Sequence, residues 1–181
     1  MEGGIHAWKG LRATGAPDAG MAHFEPVKRP EELIALAWML EEGSCKFYKE
    51  MGIREKSPEA VALFQGLWGD EEKHKSSLFG IYQRLSGKDS DPGFPQALVS
   101  LESGDDYLEG GIGLKKALEW SRGKGLRDIL EFSMSLEVNA IDLYIKMERR
   151  VDGKEAKEVF LALSNQERNH LKRLSAALEK S

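Results

Sequence analysis

The sequence has little cysteine, no excess of basic residues and no long apolar run, and each absence excludes a class of protein. A single cysteine among 181 residues excludes an intrachain disulfide framework and any metal site built on paired Cys-x-x-Cys motifs. A formal net charge of −4 argues against a nucleic-acid-binding surface. No apolar run approaches the ~18 residues of a membrane span, and the N-terminus lacks the basic segment followed by an apolar segment that marks a signal peptide. We therefore expect a cytoplasmic protein with neither membrane nor nucleic-acid partners.

Helix-start signals and apolar periodicity predict four long helices from residue 30 onward. Pro30 with two following acidic residues predicts the start of the first helix, and Ser57 followed by Pro58 predicts the second. A third helix is expected from about residue 126 to 151. Asp152 is the predicted N-cap of a fourth, which extends to about residue 178. The pattern is typical of an all-α four-helix bundle built from two helical hairpins.

A long connection joins the second and third of these helices. Residues 87–95 are rich in Gly, Asp, Ser and Pro and predict a loop, whereas residues 96–112 have no clear periodicity. Residues 114–121 predict a short helix, and no segment predicts a strand. The acidic stretch from Glu102 to Glu109 is expected to be a solvated loop. The connection either crosses over within one chain or exchanges hairpins between two chains.

An internal repeat relates the two hairpins. Shifting the sequence by 96 residues superposes matching apolar and polar residues without a gap between residues 40 and 78. The polar matches lie on the apolar stripe of each helix, where a bundle normally places Leu or Ile. They pair Glu41 with Glu137, Glu71 with Glu167, and His74 with His170; Tyr48 likewise matches Tyr144.

The predicted turns bring these polar residues to one level of the bundle. The turn at residues 56–58 is equidistant from Glu41 and Glu71, and the turn at residues 152–153 is equidistant from Glu137 and Glu167. Four buried carboxylates would be costly without compensating charge. Two divalent cations would balance them, and each Glu-x-x-His pair places both side chains on one helical face. Carboxylate and imidazole ligands suit iron or manganese, and zinc less specifically.

The full constellation resembles the ferritin-like superfamily and, within it, the rubrerythrins. The resemblance covers about residues 30–180 and rests on Glu41…Tyr48 with Glu71-Glu72-Lys73-His74, and on Glu137…Tyr144 with Glu167-Arg168-Asn169-His170. It implies a di-iron centre in which Glu71 and Glu167 bridge the metals and Glu41 and Glu137 are terminal ligands. It also implies reaction with peroxide or dioxygen. The two tyrosines either donate hydrogen bonds to the ligands or only pack in the core.

The sequence departs from the rubrerythrin pattern in two places. Rubrerythrins usually carry a further glutamate three residues after the third-helix glutamate, and here Ala140 occupies that position, with Ser44 as its repeat mate. The paired Cys-x-x-Cys motifs of the family's electron-donor domain are also missing, so turnover would need a separate donor protein. Cys45, whose repeat mate is Ile141, is expected to be a small buried hydrophobic residue.

Residues 1–29 form a distinct arm. Glu2-Gly3-Gly4-Ile5-His6-Ala7-Trp8-Lys9 and Gly15-Ala16-Pro17 resemble the end of a rhodanese domain, without its catalytic-cysteine loop. We expect no sulfurtransferase activity from it, and we expect His6 and His23 to be solvent-exposed.

Three functions fit the predicted bundle. The first is a di-iron peroxidase- or oxidase-type oxidoreductase active in oxidative stress. The second is an iron-binding protein or ferroxidase, and the third is a redox-silent interaction bundle stabilised by metal. A homodimer is expected in each case, because bundles of this type often pair through apolar outer stripes.

Overall fold

The computed structural model describes residues 29–99 and 106–181 and confirms the all-α, ferritin-like four-helix bundle. Its long helices form two hairpins joined by a connection that carries two short strands and a short helix. The hairpins consist of α1 (Pro30–Arg54) with α2 (Pro58–Ser86) and α4 (Leu126–Arg150) with α5 (Lys154–Leu178). The connection contains β1 (Tyr107–Leu108), β2 (Ile112–Gly113) and α3 (Leu114–Ser121).

The start of α2 agrees with the sequence prediction, whereas the start of α5 differs from it by one residue. Ser57 is the N-cap of α2, where its side chain accepts a hydrogen bond from the backbone N–H of Ala60 at 3.3 Å. The prediction that Asp152 caps α5 was wrong by one residue. Gly153 takes that place with a φ of 94°, a conformation that glycine adopts without steric cost, and no side chain caps the helix there.

The connection contains an antiparallel hairpin that periodicity did not predict. Tyr107 pairs with Gly113, and Leu108 pairs with Ile112. Each strand has only two residues, too few for the alternation of apolar and polar residues that marks a strand. The hairpin packs on α1 through its first strand, where the carbonyl of Tyr107 lies so close to Gly43 that a side chain there would collide with it.

The apolar core is divided into two clusters. One cluster lies towards the N-terminal half of α1 and includes Leu36, Leu40 and Leu163. The other includes Phe47, Phe64 and Leu136. On each long helix a buried glutamate, accompanied on α2 and α5 by a histidine, lies between residues of the two clusters. The fold therefore holds a polar layer across the middle of the bundle.

Two further sequence expectations concern membrane spans and the N-terminal arm. Across residues 29–99 and 106–181 it contains no helix with both the length and the apolar character needed to cross a membrane. The rhodanese-like arm, with His6 and His23, lies outside the described residues apart from Arg29.

Candidate metal centre

The polar layer is formed by the six residues that the repeat predicted as metal ligands. The four long helices of a single chain supply them, so the assembly needs no exchange of hairpins between chains. Each residue is at most 2% exposed. They are Glu41 on α1, Glu71 and His74 on α2, Glu137 on α4, and Glu167 and His170 on α5.

One half of the layer surrounds the imidazole of His74. Its Nδ1 lies 3.3 Å from Oε2 of Glu41, 2.8 Å from Oε2 of Glu71 and 3.0 Å from Oε1 of Glu167. Ligand atoms from these four residues lie within 4.8 Å of one another, close enough to hold one metal ion. Three carboxylates and one imidazole form a ligand set suited to iron or manganese.

The other half repeats this arrangement around His170. Its Nδ1 lies 3.5 Å from Oε1 of Glu71, 3.4 Å from Oε2 of Glu137 and 2.9 Å from Oε2 of Glu167. Glu71 and Glu167 thus belong to both groups, whereas Glu41 and Glu137 each belong to one. This is the division into shared and terminal carboxylates that two neighbouring metal ions require.

Several atoms of the layer lack a hydrogen-bond partner among the described residues. Neither oxygen of Glu167 makes a hydrogen bond, although each lies within 3.0 Å of a histidine nitrogen. Oε2 of Glu71 and Nδ1 of His170 likewise make no hydrogen bond. Buried polar atoms are rarely left unsatisfied, and these four belong to residues of the two ligand groups. The residues present therefore fit a pair of cations.

The electrostatics of the layer lead to the same conclusion. Burial, together with the charges of neighbouring carboxylates, raises the pKa of Glu71 and of Glu167 well above the usual range. Burial is the largest influence on Glu41 and favours its neutral form, but the charge of His74 and the hydrogen bonds that Glu41 makes together lower its pKa to about 2. Without metal, therefore, protons and imidazolium charge compensate the carboxylates. Four carboxylates would instead balance two divalent ions.

Two tyrosines cross between the hairpins to the terminal carboxylates. The hydroxyl of Tyr48 on α1 donates a 2.5 Å hydrogen bond to Oε1 of Glu137 on α4. The hydroxyl of Tyr144 on α4 donates in turn to Oε1 of Glu41 on α1. Both tyrosines are also fully buried in the apolar clusters, so hydrogen bonding to the predicted ligands and packing in the core occur together.

An acidic residue behind one histidine was missed by the sequence reasoning. Oδ2 of Asp70 lies 3.5 Å from Nε2 of His170 and accepts a 2.8 Å hydrogen bond from Nη1 of Arg173. A carboxylate in this position orients a metal-binding imidazole and raises its basicity. The repeat mate of Asp70 is Gln166, so the other half of the site has no matching acid at this position.

A polar cavity of about 170 Å³ lies between α2 and α5 against the two histidines. Its lining contains the imidazoles of His74 and His170 and the charged side chains of Asp70, Lys73 and Arg173. A water molecule takes up about 30 Å³ of the liquid. The cavity therefore has room for small molecules beside the candidate metal centre.

A fifth buried carboxylate, Glu109, contradicts the expectation of a solvated acidic loop. Its side chain is 4% exposed and accepts a hydrogen bond from the hydroxyl of Ser44. Burial and the charges of Glu41 and Glu137 raise the pKa of Glu109, against the effect of the Ser44 hydroxyl. The small residues at two repeat-related positions, Ser44 and Ala140, were the only signal in the sequence that space exists there.

Cys45 is buried, as predicted, and belongs to a separate cluster. Its thiol donates a 2.9 Å hydrogen bond to Oε1 of Glu72, and burial raises the pKa of the thiol. Glu42, Cys45 and Glu72 lie close enough to share a metal ion, but Lys75 already pairs with both of these carboxylates. Both carboxylates of this cluster are therefore already paired with an ammonium group of the protein.

Comparison with known proteins links the second hairpin to a family. The Rubrerythrin family model matches residues 128–181, which contain Glu137, Tyr144, Glu167 and His170. No curated protein gave a match. A solved structure of a hypothetical protein from Pyrococcus furiosus is similar over 91% of this chain and 95% of its own, with 26% identity and a TM-score of 0.64.

The family match and the structure together support a rubrerythrin-like, ferritin-like relationship. The family model covers only the second hairpin, but the first hairpin carries the same four residue types at the 96-residue spacing. The buried carboxylate and histidine groups could bind metal.

Proposed function

We propose that this protein is a rubrerythrin-like di-iron oxidoreductase that reduces hydrogen peroxide or dioxygen. The observation that carries the proposal is the pair of three-carboxylate, one-histidine groups that share Glu71 and Glu167 in a buried layer. When bound, a ferrous pair supplies two electrons that, with two protons, convert hydrogen peroxide to two water molecules. The donor set is hard and oxygen-rich, as iron in such chemistry requires.

The residues of the layer have separate tasks in this proposal. Glu71 and Glu167 hold both ions, while Glu41 and His74 complete one ligand set and Glu137 and His170 complete the other. The tyrosines fix the terminal carboxylates. Burial and nearby carboxylate charge raise the pKa of both phenols well above the usual range. Each hydroxyl therefore stays protonated and keeps donating its hydrogen bond.

The reaction also needs a route for the oxidant to the buried layer and a source of electrons. The polar cavity between α2 and α5 gives a small oxidant a route to the histidine side of the layer. The 181 residues contain one cysteine, too few for a four-cysteine iron site, so we propose that electrons come from a donor outside these residues. Asp70 supports His170 on the cavity side by holding the ring at its Nε2.

Anaerobic ferrous titration of the metal-free protein, followed by stopped-flow absorbance with each oxidant, tests the proposal. We expect two irons per chain and a rapid ferric band in the near ultraviolet with peroxide, both lost in Glu71→Ala. Rapid reaction with dioxygen alone, without a donor, would instead identify a ferroxidase. Iron that binds but responds to neither oxidant would leave a metal-stabilised bundle and refute the redox function.

A further inference from the structure

Glu109 is a buried carboxylate that the proposed function leaves without a task. The hairpin that carries it is anchored by buried Leu108 and Ile112 on its two strands. Glu109 itself follows β1 at the start of the turn. The hairpin is closed by the backbone hydrogen bond from Leu114 N–H to the carbonyl of Asp106 at 2.7 Å. The position of the carboxylate is thus set by an ordered turn.

The two neighbouring helices are shaped to admit this turn. On α1, Gly43 allows the backbone carbonyl of Tyr107 to approach more closely than any side chain would permit. On the α4 side, Gly110 has a φ of 85° and lies against the side-chain amide of Asn139. The backbone between these two contacts brings Glu109 into the space between α1 and α4.

The space that Glu109 enters lies beside the terminal carboxylates. Ser44 and Ala140 are each three residues after a terminal glutamate and are buried to at least 99%. Residues three apart share a helical face, so both small side chains face the same region as Glu41 and Glu137. The hydroxyl of Ser44 donates to Glu109 within this region.

The charges around Glu109 do not explain its burial. Within the part of the chain that the structure describes, the carboxylates of Glu41 and Glu137 and the phenols of Tyr48 and Tyr144 interact electrostatically with it. The hydrogen bonds that it accepts come from neutral groups, the hydroxyl of Ser44 and a backbone N–H. A third carboxylate on the α1–α4 side is costly to bury without a cation.

We propose that Glu109 is a seventh protein ligand of the metal pair, supplied by the connection between the two hairpins. This inference rests on the proposed function, because it requires that the buried layer bind metal. Glu109 approaches from the α1–α4 side, whereas both histidines come from α2 and α5. The ligand lacking at Ala140 on α4 is thus provided from a different element of the fold.

Cobalt binding to the metal-free protein tests the proposal independently of enzyme activity. Calorimetry gives stoichiometry and affinity for Co²⁺, and visible absorption reports coordination number, because the bands of cobalt strengthen as ligands are lost. We expect two Co²⁺ per wild-type chain. Glu109→Gln is expected to weaken at least one site by about tenfold or more and to strengthen the visible bands.

Two further variants separate ligation from a structural role. Asp106→Asn removes a carboxylate from the same hairpin at its surface contact with Lys46, and it should bind Co²⁺ as the wild type does. Ser44→Ala removes the hydrogen bond but keeps the Glu109 carboxylate, and it should also retain two-site binding. If Ser44→Ala reproduces the loss seen in Glu109→Gln, the carboxylate acts through that hydrogen bond and the proposal fails.

The remaining outcomes are also decisive. Metal-free Glu109→Gln should unfold at the same or a higher temperature than the wild type, since the change removes a buried acid near other acids. Unchanged cobalt affinity and spectrum in Glu109→Gln, or a misfolded variant, would overturn the role of Glu109 while leaving the proposed function intact. A wild-type protein that binds no cobalt and no iron would overturn the proposed function itself.

Discussion

Replacing Glu71 by Gln should separate metal binding from the stability of the metal-free bundle. Glu71 belongs to both ligand groups, and its oxygens lie 2.8 and 3.5 Å from the Nδ1 atoms of His74 and His170. Burial and the charges of Glu167 and Glu41 raise its pKa, so the carboxylate is unfavourable when no metal is bound. A neutral amide of the same shape should leave the metal-free protein at least as stable as the wild type, although it cannot balance a cation.

The expected size of the effect follows from ligand linkage. Each site at a free metal concentration of 100 times its dissociation constant adds about 2.7 kcal/mol to the free energy of unfolding. Two sites therefore add about 5 kcal/mol, and each kcal/mol raises Tm by roughly 2–4 °C in a chain of this size, giving a shift of roughly 10–20 °C. Glu71→Gln should lose most of this shift, because both sites lose a shared ligand.

Differential scanning calorimetry with and without Mn²⁺ or anaerobic Fe²⁺ measures both quantities. Glu72→Gln is a matched control, because Glu72 is the next residue on α2 and its side chain is 52% exposed. The control should keep the full metal-induced shift. An equal shift in Glu71→Gln and wild type would refute the argument that the shared carboxylates hold the metal, and so would a marked loss of Tm in metal-free Glu71→Gln.

Four further outcomes are expected. Asp70→Asn should weaken metal binding at the His170 half by about tenfold in a calorimetric titration, because the ring loses its carboxylate partner. Tyr144→Phe should weaken binding about 10–100-fold in the same assay, since a terminal carboxylate loses its donor. Gly43→Ala should reduce the free energy of unfolding in urea by about 1–3 kcal/mol, because the new methyl group collides with the hairpin. Burial and neighbouring carboxylates raise the pKa of Glu71 above its usual 4.5. The surrounding carboxylates also raise the pKa of His170 above its usual 6.5, although burial alone would lower it. Each group therefore binds protons more tightly in the folded than in the unfolded protein, so its contribution to stability is complete at low pH and declines as pH rises above its usual pKa. The metal-free protein should melt at a lower temperature near pH 8 than near pH 6.

The long helices and their alignment could be predicted because their signals are local or repeated. Pro30, Pro58 and the glycines after residue 121 mark helix ends within a few residues of chain. The pairing of ionisable residues across the turns could be predicted from the 96-residue repeat, although no single helix indicates it. The error at Asp152 has a local cause, since Gly153 can adopt a positive φ and cap the helix by its backbone conformation alone.

Glu109 and Asp70 could not be predicted because their roles depend on contacts distant in sequence. Glu109 meets Ser44 across 65 residues, and its segment has neither helical nor strand periodicity. An acidic residue in such a segment is most often solvated, and only the close approach of the hairpin to α1 changes that. Asp70 precedes the Glu-x-x-His motif by one residue and acquires its partner from α5, 100 residues later.

These two residues also break the symmetry that the repeat imposes on the site. The six predicted ligands and the two tyrosines form matched pairs, so the repeat alone would give two equivalent metal positions. Asp70 has Gln166 as its mate, and Glu109 comes from a connection that lies between the repeats. A carboxylate behind an imidazole makes that imidazole a more basic ligand, and Asp70 lies behind His170 without an acidic repeat mate. The hairpin that carries Glu109 likewise contacts α1 and α4 through different residues. The two halves of the centre are therefore chemically different, although their ligand types are the same.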